Sequence, residues 1–342
     1  MTQTPTVTII IATYERVAHL CRLLRELERQ TYPREQLEVI VVDDASPTDP
    51  REAIARLGLA LKLTVLTVPH GGPARARNVG LSHATGELVL FLNDDVRAAL
   101  DLVDVHVNVH RSLETPAAVL GTFCFTHELR QDPFCRVLED YGFTHTLQLK
   151  NGAWYDYHTF WTGNLSLPRA ALQFVGGFHQ DFVEPSHDDL ELGYRLEREL
   201  GLKVYYSELA RCRHDHHHDP QMWRRRNRMV GRNILRMHRL HGLTDLRAFQ
   251  EGPNLSRTRL MAAREALDEQ RPSMDALESA LISTLTRASV GKLQGEIDLD
   301  GTLYHLPAQL DAFLNASLSL LTRHDQLQGL VQAALELPEL AP

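Results

Sequence analysis

The chain has 342 residues, of which 43% are apolar and 7% aromatic, and its formal net charge is −8 with its 18 histidines taken as neutral. This length and balance exclude a disordered chain, a collagen repeat and a small disulfide scaffold. They predict one large domain with an appendage, or two domains. The acidic net charge argues against nucleic acid as a partner.

The apolar runs and the cysteines predict the compartment in which the protein works. The longest apolar runs, Val7–Ala12 and Leu88–Leu92, fall far short of the roughly 20 residues that a membrane-spanning helix needs. No positively charged region precedes the first of them, so no secretory signal is visible. The four cysteines stand far apart without paired metal-ligand spacing, which fits free thiols in a reducing compartment. We therefore expect a soluble cytoplasmic protein.

The first hundred residues alternate between strand and helix patterns. Helical spacing of leucines predicts a helix over Val17–Glu28, Asp49-Pro50 begins a second helix, and Ala74–His83 reads as a third. Strands separated by helices at this distance imply βαβ crossovers and a mainly parallel sheet. Four short apolar, β-branched runs are the predicted strands: Val7–Ala12, Glu38–Asp43, Leu63–Val68 and Leu88–Leu92.

Polar residues follow each predicted strand. In a parallel sheet the carboxyl ends of the strands share one edge, where ligands bind. Neither GxGxxG nor GxxxxGK[ST] follows the first strand, so a dinucleotide fold and a P-loop are both disfavoured. The polar groups that would form the edge are Thr13-Tyr14-Glu15, Asp43-Asp44, His70-Gly71-Gly72 and Asn93-Asp94-Asp95.

An ordered series of motifs resembles a known family. The segments are TIIIATYER, VIVVDDAS, GGPARARNVGLSHATGELVLFLNDD, WTGNLSLPRAALQFVGGF and HDDLELGYRL. Together they look like the family 2 inverting glycosyltransferases, over roughly residues 5 to 218. The resemblance implies a GT-A fold, a Rossmann-like, mainly parallel sheet flanked by helices. It also implies a nucleotide-sugar donor, a divalent metal and transfer of a hexosyl or deoxyhexosyl group to a hydroxyl with inversion.

The resemblance assigns the donor end of the site. The family holds the base and ribose with residues that match Thr13, Tyr14, Glu15 and Asp44. A glycine loop before a helix favours phosphates, because backbone N–H groups and the helix dipole attract anions. A capped surface helix and an ordinary Asp-Ser turn remain the alternatives. The phosphate side is assigned to Gly72, Arg77, Asn78 and Asp94, and the nucleotide is left open among UDP, GDP and dTDP.

The resemblance also implies a site for Mg²⁺ or Mn²⁺. A hard cation that bridges a diphosphate needs only one or two carboxylates, here mainly Asp95 with Asp94 beside it. The family's first acidic position holds Asn93, which predicts weaker metal binding. The family often has a nitrogen ligand after its last catalytic strand, here Leu202–Tyr206, and His214 or His216 matches best. A separate zinc or nickel site and a solvated histidine loop are the alternatives.

The catalytic base is assigned to the segment HDDLEL. In the family the second acid of an acidic pair takes the acceptor proton, which corresponds to Asp189, and the charge of Asp188 would raise its proton affinity. The competing interpretation is a helix N-terminus rich in acids. The family's floor between donor and acceptor matches Trp161, Gly163, Asn164 and Gly177, although Trp161 could instead pack in the core.

A strongly basic stretch follows the histidines. Residues 211–240 contain nine arginines and two acids, and Trp223, Val230, Ile234 and Met237 fall near helical spacing. A helix over 222–240 could meet an anionic membrane or a lipid-diphosphate acceptor, clamp the donor diphosphate, or pack on the catalytic domain. We favour packing with long-range attraction of anionic substrates, and membrane-peripheral contact is the minority interpretation.

The predicted domains are a catalytic domain over 1–220, a basic helix or linker over 221–242 and a C-terminal helical domain over 243–342. No catalytic signature is visible after residue 243, and acceptor binding, homo-oligomerisation or capping of the enzyme would all fit. The predicted elements there are helices over Asn254–Glu269, Ser273–Arg287, Pro307–Thr322 and Gln326–Leu335, and a small hairpin over Gly291–Tyr304.

These expectations combine into a metal-dependent inverting glycosyltransferase of polysaccharide or glycoconjugate biosynthesis. Its partners would be a UDP, GDP or dTDP sugar and a glycan, lipid-linked or other hydroxyl acceptor. A nucleotidyltransferase also uses a metal on an α/β sheet, but Asp188-Asp189 stands where an acceptor base belongs. A non-catalytic module that binds nucleotide-sugars is the third interpretation, and Asn93 is the residue that raises it.

Overall fold

The computed structural model describes residues 4–141, 146–242, 257–291 and 308–337. The chain divides into two compact units, Met1–Thr126 with Thr144–His216, and His127–Phe143 with His217–Pro342. The first unit therefore ends close to the predicted boundary at residue 220. The second unit also takes in a segment from within the predicted catalytic domain, as well as the basic helix that was predicted to stand apart as a linker.

One mixed, mostly parallel sheet organises the first unit. Within the described residues its order is β3-β2-β1-β4-β8-β6-β9-β5, and β7 pairs with β9. The central strands β1, β2, β3 and β4 run parallel, whereas β8 is antiparallel to both β4 and β6. The strands are β1 Val7–Thr13, β2 Leu37–Asp43, β3 Lys62–Thr67, β4 Leu88–Asn93, β5 Val96–Ala98, β6 Ala118–Phe125, β7 Trp154–Tyr155, β8 Asn164–Pro168 and β9 Val204–His214.

Helices connect and cover these strands. The leucine spacing in the first helix places Leu20, Leu23, Leu24 and Leu27 on one buried face, which packs in the same core as Ile9 and Val39 of the sheet. The helices of the first unit are α1 Val17–Glu28, α2 Arg51–Ala55, α3 Pro73–His83, α4 Leu102–Ser112, α6 Arg169–Phe174 and α7 Asp188–Leu200. Short 3-10 turns lie at Arg34–Gln36, Leu129–Gln131, Thr146–Gln148 and Tyr157–Thr159.

The predicted α/β architecture is confirmed. The four predicted strands match β1 to β4 within one residue at each end, and α1 has its predicted bounds. The strand predicted over Leu202–Tyr206 was too short, because β9 continues to His214. Residues 210–214 alternate between buried and exposed, which is the period of a strand with one covered face. His214 therefore lies in a strand and is buried, and not in the solvated loop that was one of the alternatives.

The second unit is helical in its described part, with a core of leucines. Its helices are α5 Pro133–Tyr141, α8 Pro220–His241, α9 Arg257–Gly291 and α10 Ala308–Leu335. Helices α8 and α10 cross closely at two glycines: a Cβ on Gly231 would collide with the backbone of Gln326, and one on Gly329 with the backbone of Arg228. The buried core consists of Leu235, Leu260, Leu267, Leu330, Val331 and Ala334.

Two predicted breaks in the C-terminal helices were wrong. Helix α9 continues through Pro272, so Asn254–Glu269 and Ser273–Arg287 are not separate helices in the described residues. Helix α10 continues through residues 323–325, where the sequence predicted a break. Thr322 and Asp325 at this point are buried and have hydrogen-bond partners on α8. The predicted hairpin lies outside the described residues, apart from Gly291 at the end of α9.

The basic helix α8 uses its apolar residues inside the second unit. Trp223 and Met237 are buried, Ile234 packs against the leucine core, and the Trp223 indole N–H donates to Thr322 Oγ1 at 2.9 Å. The apolar face on which the membrane interpretation rested is therefore covered by α9 and α10. Packing on the catalytic domain was predicted for α8, whereas the observed packing of its apolar residues is against α9 and α10. None of the described helices is both long enough and apolar enough to cross a membrane.

A buried ionic network ties α8 to its neighbours. The guanidinium of Arg224 donates to Asp325 at 2.9 Å, to Glu278 at 2.6 Å and to Asp275 at 3.0 Å. Asp325 is fully buried. Burial disfavours its ionisation, but hydrogen bonds from His324 and Arg224 and the charges of Arg224 and Arg228 outweigh this effect and lower its pKa.

We expect Arg224→Met to destabilise the second unit by about 3 kcal/mol, because it leaves Asp325 buried with only part of its compensation. The control is Arg225→Met, which removes an exposed arginine from the same helix. Urea unfolding followed by circular dichroism measures the difference. Equal transition midpoints for the two variants would contradict a stabilising role for the network.

Candidate active site

The carboxyl ends of three parallel strands form the edge predicted for the site. Thr13 at the end of β1 lies opposite Asp43 at the end of β2, and Ala12 lies opposite Asn93 at the end of β4. The polar residues that follow these strands are therefore neighbours in space. Asp43 itself accepts from the N–H of Ser46 and forms the turn that the sequence offered as an alternative.

Asp94 and Asp95, the acidic pair after β4, are buried and both contact one arginine. Asp94 Oδ2 accepts a 2.8 Å hydrogen bond from Thr13 Oγ1. Arg16 Nη1 lies 3.2 Å from Asp94 and 3.3 Å from Asp95, so a single guanidinium contacts both carboxylates. Thr13 and Asp94, predicted to contact the donor, thus meet each other directly. Arg16 was not predicted, although a cation directly after the first strand was a signal for it.

The two carboxylates have opposite pKa shifts. Burial and then the charge of Asp95 raise the pKa of Asp94 to about 6, against the pull of Arg16. Burial disfavours ionisation of Asp95 too, but His214 and Arg16 outweigh it and lower the pKa of that carboxyl. Asp95 is therefore the more acidic of the two carboxyl groups. Its Oδ1 is buried and accepts no hydrogen bond from the described residues, so this oxygen has capacity for a cation.

The two candidate histidines lie on the same side of the site as Asp95. His214 Nε2 is 3.5 Å from Asp95 Oδ2, and the imidazole packs against the rings of Phe123 and Phe125. His216 lies two residues further on, with its ring 6.2 Å from that of His214. Burial and the charge of Arg16 lower its pKa to about 4. A buried carboxylate oxygen with adjacent imidazole and carboxylate groups fits the nitrogen and oxygen ligands that divalent cations take.

Asp44 is bound by the glycine loop that was predicted to cradle phosphates. Its two carboxylate oxygens accept from the N–H groups of Gly71 at 2.8 Å and Gly72 at 2.9 Å, and His70 lies 3.0 Å away. Gly72 adopts φ +84°, and a Cβ there would collide with the carbonyl of Val183. The predicted loop exists, but these two amides point at Asp44. They hold the loop on β2, and phosphate binding at Gly72 remains a prediction.

The residues after β1 form an exposed lip beside this loop. The ring of Tyr14, which is 40% exposed, stacks at a tilt on His70 with 4.9 Å between ring centroids. Glu15 is exposed in the left-handed region at φ +58°, where its N–H donates to Ser46 Oγ at 2.9 Å. Their open position is compatible with the predicted contacts to a base and ribose, which remain predictions.

Asn78 pairs with backbone instead of pointing at the donor. Its amide donates to the carbonyl of Phe178 and accepts from the Phe178 N–H, both at 2.8 Å. Gly177 has φ +72°, and a Cβ there would lie 2.5 Å from Asn78 Oδ1. Both residues therefore position the loop after α6. The nucleotide contact of Asn78 and the acceptor contact of Gly177 remain predictions.

Arg77 joins the two halves of the site. Its Nη1 donates to Asp188 Oδ2 at 2.6 Å and its Nη2 to Asn93 Oδ1 at 3.3 Å, while its guanidinium lies 5.6 Å from the centre of the Phe178 ring. Asp188 begins α7 and Asn93 ends β4. The Arg77 side chain therefore connects the end of β4 to the start of α7, where Asp188 precedes Asp189. Asn93 stands where the family pattern has an acid. Because its amide is neutral, Asp188 is the charged partner of Arg77.

Asp189 lies beside this ion pair with a perturbed acidity. Its carboxylate accepts from the backbone N–H groups of Leu190 at 2.9 Å and Thr162 at 3.3 Å. Burial, followed by the charge of Asp188, raises its pKa to about 7, although Arg77 pulls in the other direction. The preceding backbone at Ser186 and His187 has positive φ, which costs energy in non-glycine residues. A carboxylate with this pKa can both take and release a proton near neutral pH.

Two of the predicted acceptor residues, Trp161 and Gly163, lie beside Asp189 and the end of β4. Trp161 is half-buried near Asp189, since the next residue, Thr162, donates to that carboxylate. Gly163 accepts from the Asn93 N–H, and a Cβ on it would press on Phe123.

Asn164 was predicted to contact the acceptor, and this contact remains a prediction; its side chain is fully buried. Its amide donates to the carbonyls of Thr122 and Ala210, and its Oδ1 lies 2.9 Å from Nε2 of buried His106. Burial lowers the pKa of His106 to about 4. Asn164 thus joins β6, β9 and α4 beneath the site, a role that no local pattern in the sequence indicated.

The chain resembles known proteins in sequence and in fold. Residues 8–167 match the model of the family described as Glycosyl transferase family 2. Validoxylamine A glucosyltransferase from Streptomyces hygroscopicus is 30% identical over 217 residues, 56% of this chain and 51% of that protein. The chain therefore spans about half the length of this curated relative.

Two solved structures show the same fold. The mannosyltransferase PcManGT from Pyrobaculum calidifontis, in complex with GDP-Man and Mn²⁺, has a TM-score of 0.54 at 20% identity, over 97% of this chain and 86% of that one. Staphylococcus aureus TarS 1-349, in complex with UDP-GlcNAc, has a TM-score of 0.50 at 16% identity, over 88% of this chain and 96% of that one. The first unit has the GT-A fold, and residues 8–167 resemble glycosyltransferase family 2.

We expect Asp188→Asn to lower the pKa of Asp189 from about 7 by about one unit or more, because the variant removes the adjacent negative charge and releases Arg77. Carboxyl ¹³C NMR of protein labelled at aspartate measures this titration. Asp181→Asn, an exposed acid in the preceding loop, is the control and should leave it unchanged. An unchanged or higher pKa in Asp188→Asn would contradict the proposed coupling.

Proposed function

We propose that this chain transfers a sugar from a nucleotide-diphosphate donor to a hydroxyl acceptor, with inversion at the anomeric carbon and Asp189 as the general base. The observation that carries the proposal is the link made by Arg77. It joins Asp188, next to the base, to Asn93, next to the acidic pair. A donor whose diphosphate lies at the acidic pair would have its sugar directed towards Asp189.

The chemistry is one displacement in which Asp189 removes the proton of the acceptor hydroxyl. The acceptor oxygen then forms a bond to the anomeric carbon while the bond from that carbon to the diphosphate oxygen breaks. The pKa of about 7 suits Asp189 to this role, because a base works best when its pKa is near the working pH. Asp188 is held by Arg77 at 2.6 Å and acts as a positioning residue for α7.

We assign the divalent cation to Asp95, with Asp94 and His214 beside it. The unpartnered Oδ1 of Asp95 supports this assignment, and the neighbouring His216 is a second candidate nitrogen ligand. A bound Mg²⁺ or Mn²⁺ would neutralise charge on the departing diphosphate. The complex of PcManGT with GDP-Man and Mn²⁺ supports this cation class.

The donor is proposed as a UDP, GDP or dTDP sugar, since the two structural neighbours are complexes with GDP-Man and UDP-GlcNAc. The acceptor is proposed as a glycan, a lipid-linked glycan or another hydroxyl compound of glycoconjugate biosynthesis. A cytoplasmic location is proposed from Cys21, Cys124, Cys135 and Cys212, which are all free thiols.

The other two classes of function are less well supported. A nucleotidyltransferase has no use for a carboxylate of raised pKa at the acceptor side. A non-catalytic module was suggested by Asn93, but Asn93 contacts Arg77 and leaves Asp94 and Asp95 as carboxylate ligands.

We expect one of UDP, GDP and dTDP to raise the melting temperature of the full chain, and Mn²⁺ to enlarge that rise. A ligand at one hundred times its Kd stabilises by about 2.7 kcal/mol. Asp95→Asn should lose the Mn²⁺ enhancement, whereas Asp49→Asn, an exposed acid after β2, should keep it. An enhancement retained in Asp95→Asn would refute the metal assignment.

We expect Asp189→Asn to reduce sugar transfer about 100-fold or more, because an amide cannot accept the hydroxyl proton. Donor binding, measured by calorimetry with the nucleotide identified above, should stay within about twofold because the amide keeps the size of the side chain. The control for general damage is Asp181→Asn. Turnover of Asp189→Asn equal to that of the unmodified chain would exclude Asp189 as the base.

A further inference from the structure

A group of metal-ligating side chains lies in the second unit, apart from the cluster around Asp95. Asp132 precedes α5, Cys135 lies in its first turn, and His217 precedes α8. One ligand atom from each side chain lies within 4.8 Å of the other two. We propose that these three residues form a second cation site, specific for a borderline-soft divalent ion of the zinc class.

The orientation of Asp132 supports the proposal. Its Oδ1 accepts from the backbone N–H groups of Phe134 and Cys135, both at 2.9 Å, so this oxygen fixes the start of α5. Its Oδ2 points instead to His217, with 3.4 Å to the Nε2 atom. Ligands about 2.0 to 2.3 Å from a tetrahedral zinc lie about 3.3 to 3.8 Å from one another. The oxygen and nitrogen are therefore already at the spacing of two zinc ligands.

Cys135 supplies the ligand that distinguishes this site from the catalytic cluster. The side chain is buried, and its sulfur contacts the carbonyl of His218 at 3.7 Å, which holds the segment that carries His217 against α5. A cation would bind here by replacing the thiol proton, which passes to solvent. Sulfur, imidazole and carboxylate together select zinc-class ions over Mg²⁺ or Mn²⁺.

The exposure of the group leaves room for a fourth ligand. His217 is exposed and Asp132 half-buried, while Cys135 forms the buried end. A water molecule can complete a tetrahedron from the open side, as in zinc sites with three protein ligands. The ion would tie the start of α8 to the start of α5 within the second unit.

Co²⁺ titration of the full chain tests the proposal, since cobalt bound to a thiolate absorbs through sulfur-to-metal charge transfer. The catalytic cluster has only oxygen and nitrogen ligands, so this band reports on the new site alone. We expect a band that saturates at one equivalent, is abolished in Cys135→Ser and is lost or strongly weakened in His217→Ala. Cys21→Ser, which alters a half-buried cysteine of α1, should leave it unchanged.

The same variants separate this proposal from the proposed function. Asp95→Asn should retain the cobalt band, whatever its effect on sugar transfer. His217 is exposed, so His217→Ala should fold even if Cys135→Ser does not, and zinc should raise the melting temperature of the unmodified chain but not of this variant. Absence of the charge-transfer band, its full persistence in His217→Ala, or its loss in Cys21→Ser would overturn the proposal.

Discussion

The position of Arg77 between Asp188 and Asn93 is the interaction on which the candidate site depends. Its guanidinium lies 2.6 Å from an acid at the start of α7 and 3.3 Å from an amide at the end of β4. The two elements are about ninety residues apart in the sequence, and a partly buried ion pair with good geometry holds them at a fixed separation. The acidic pair and the proposed base can therefore act on one substrate.

The arginines also decide which carboxylates are charged. Arg77 contacts Asp188 and acts through its charge on Asp189, and Arg16 contacts Asp94 and Asp95, so four acids share two guanidinium groups. Burial penalises every charge that has no close partner. The pKa is consequently raised to about 6 in Asp94 and to about 7 in Asp189, while Asp95 stays ionised beside His214 and Arg16. Two arginines do not balance the charge of four buried carboxylates. This shortage of positive charge helps to raise the pKa of Asp94, a candidate metal ligand, and that of Asp189, the candidate base.

Several residues that the family pattern assigns to substrates also hold together the backbone around them. Asp44 binds the amides of Gly71 and Gly72, Asn78 pairs with the backbone of Phe178, and Asn164 is buried between β6, β9 and α4. Loop backbone has no regular partners, so a polar side chain that satisfies its N–H and C=O groups fixes its shape. The pattern of the motif therefore reflects both construction of the site and contact with ligands.

The sequence alone determined the α/β class, the strands β1 to β4 and the edge where polar residues gather, because hydrophobic periodicity and the direction of parallel strands are local properties. It also indicated Asp95 and Asp189 through motif order. Only the tertiary structure decided that Arg16 contacts the acidic pair, that β9 carries His214 to Asp95 and that α9 and α10 cover the apolar face of α8. Each of these is a contact between residues distant in the chain, whose geometry depends on packing and burial that no local pattern encodes.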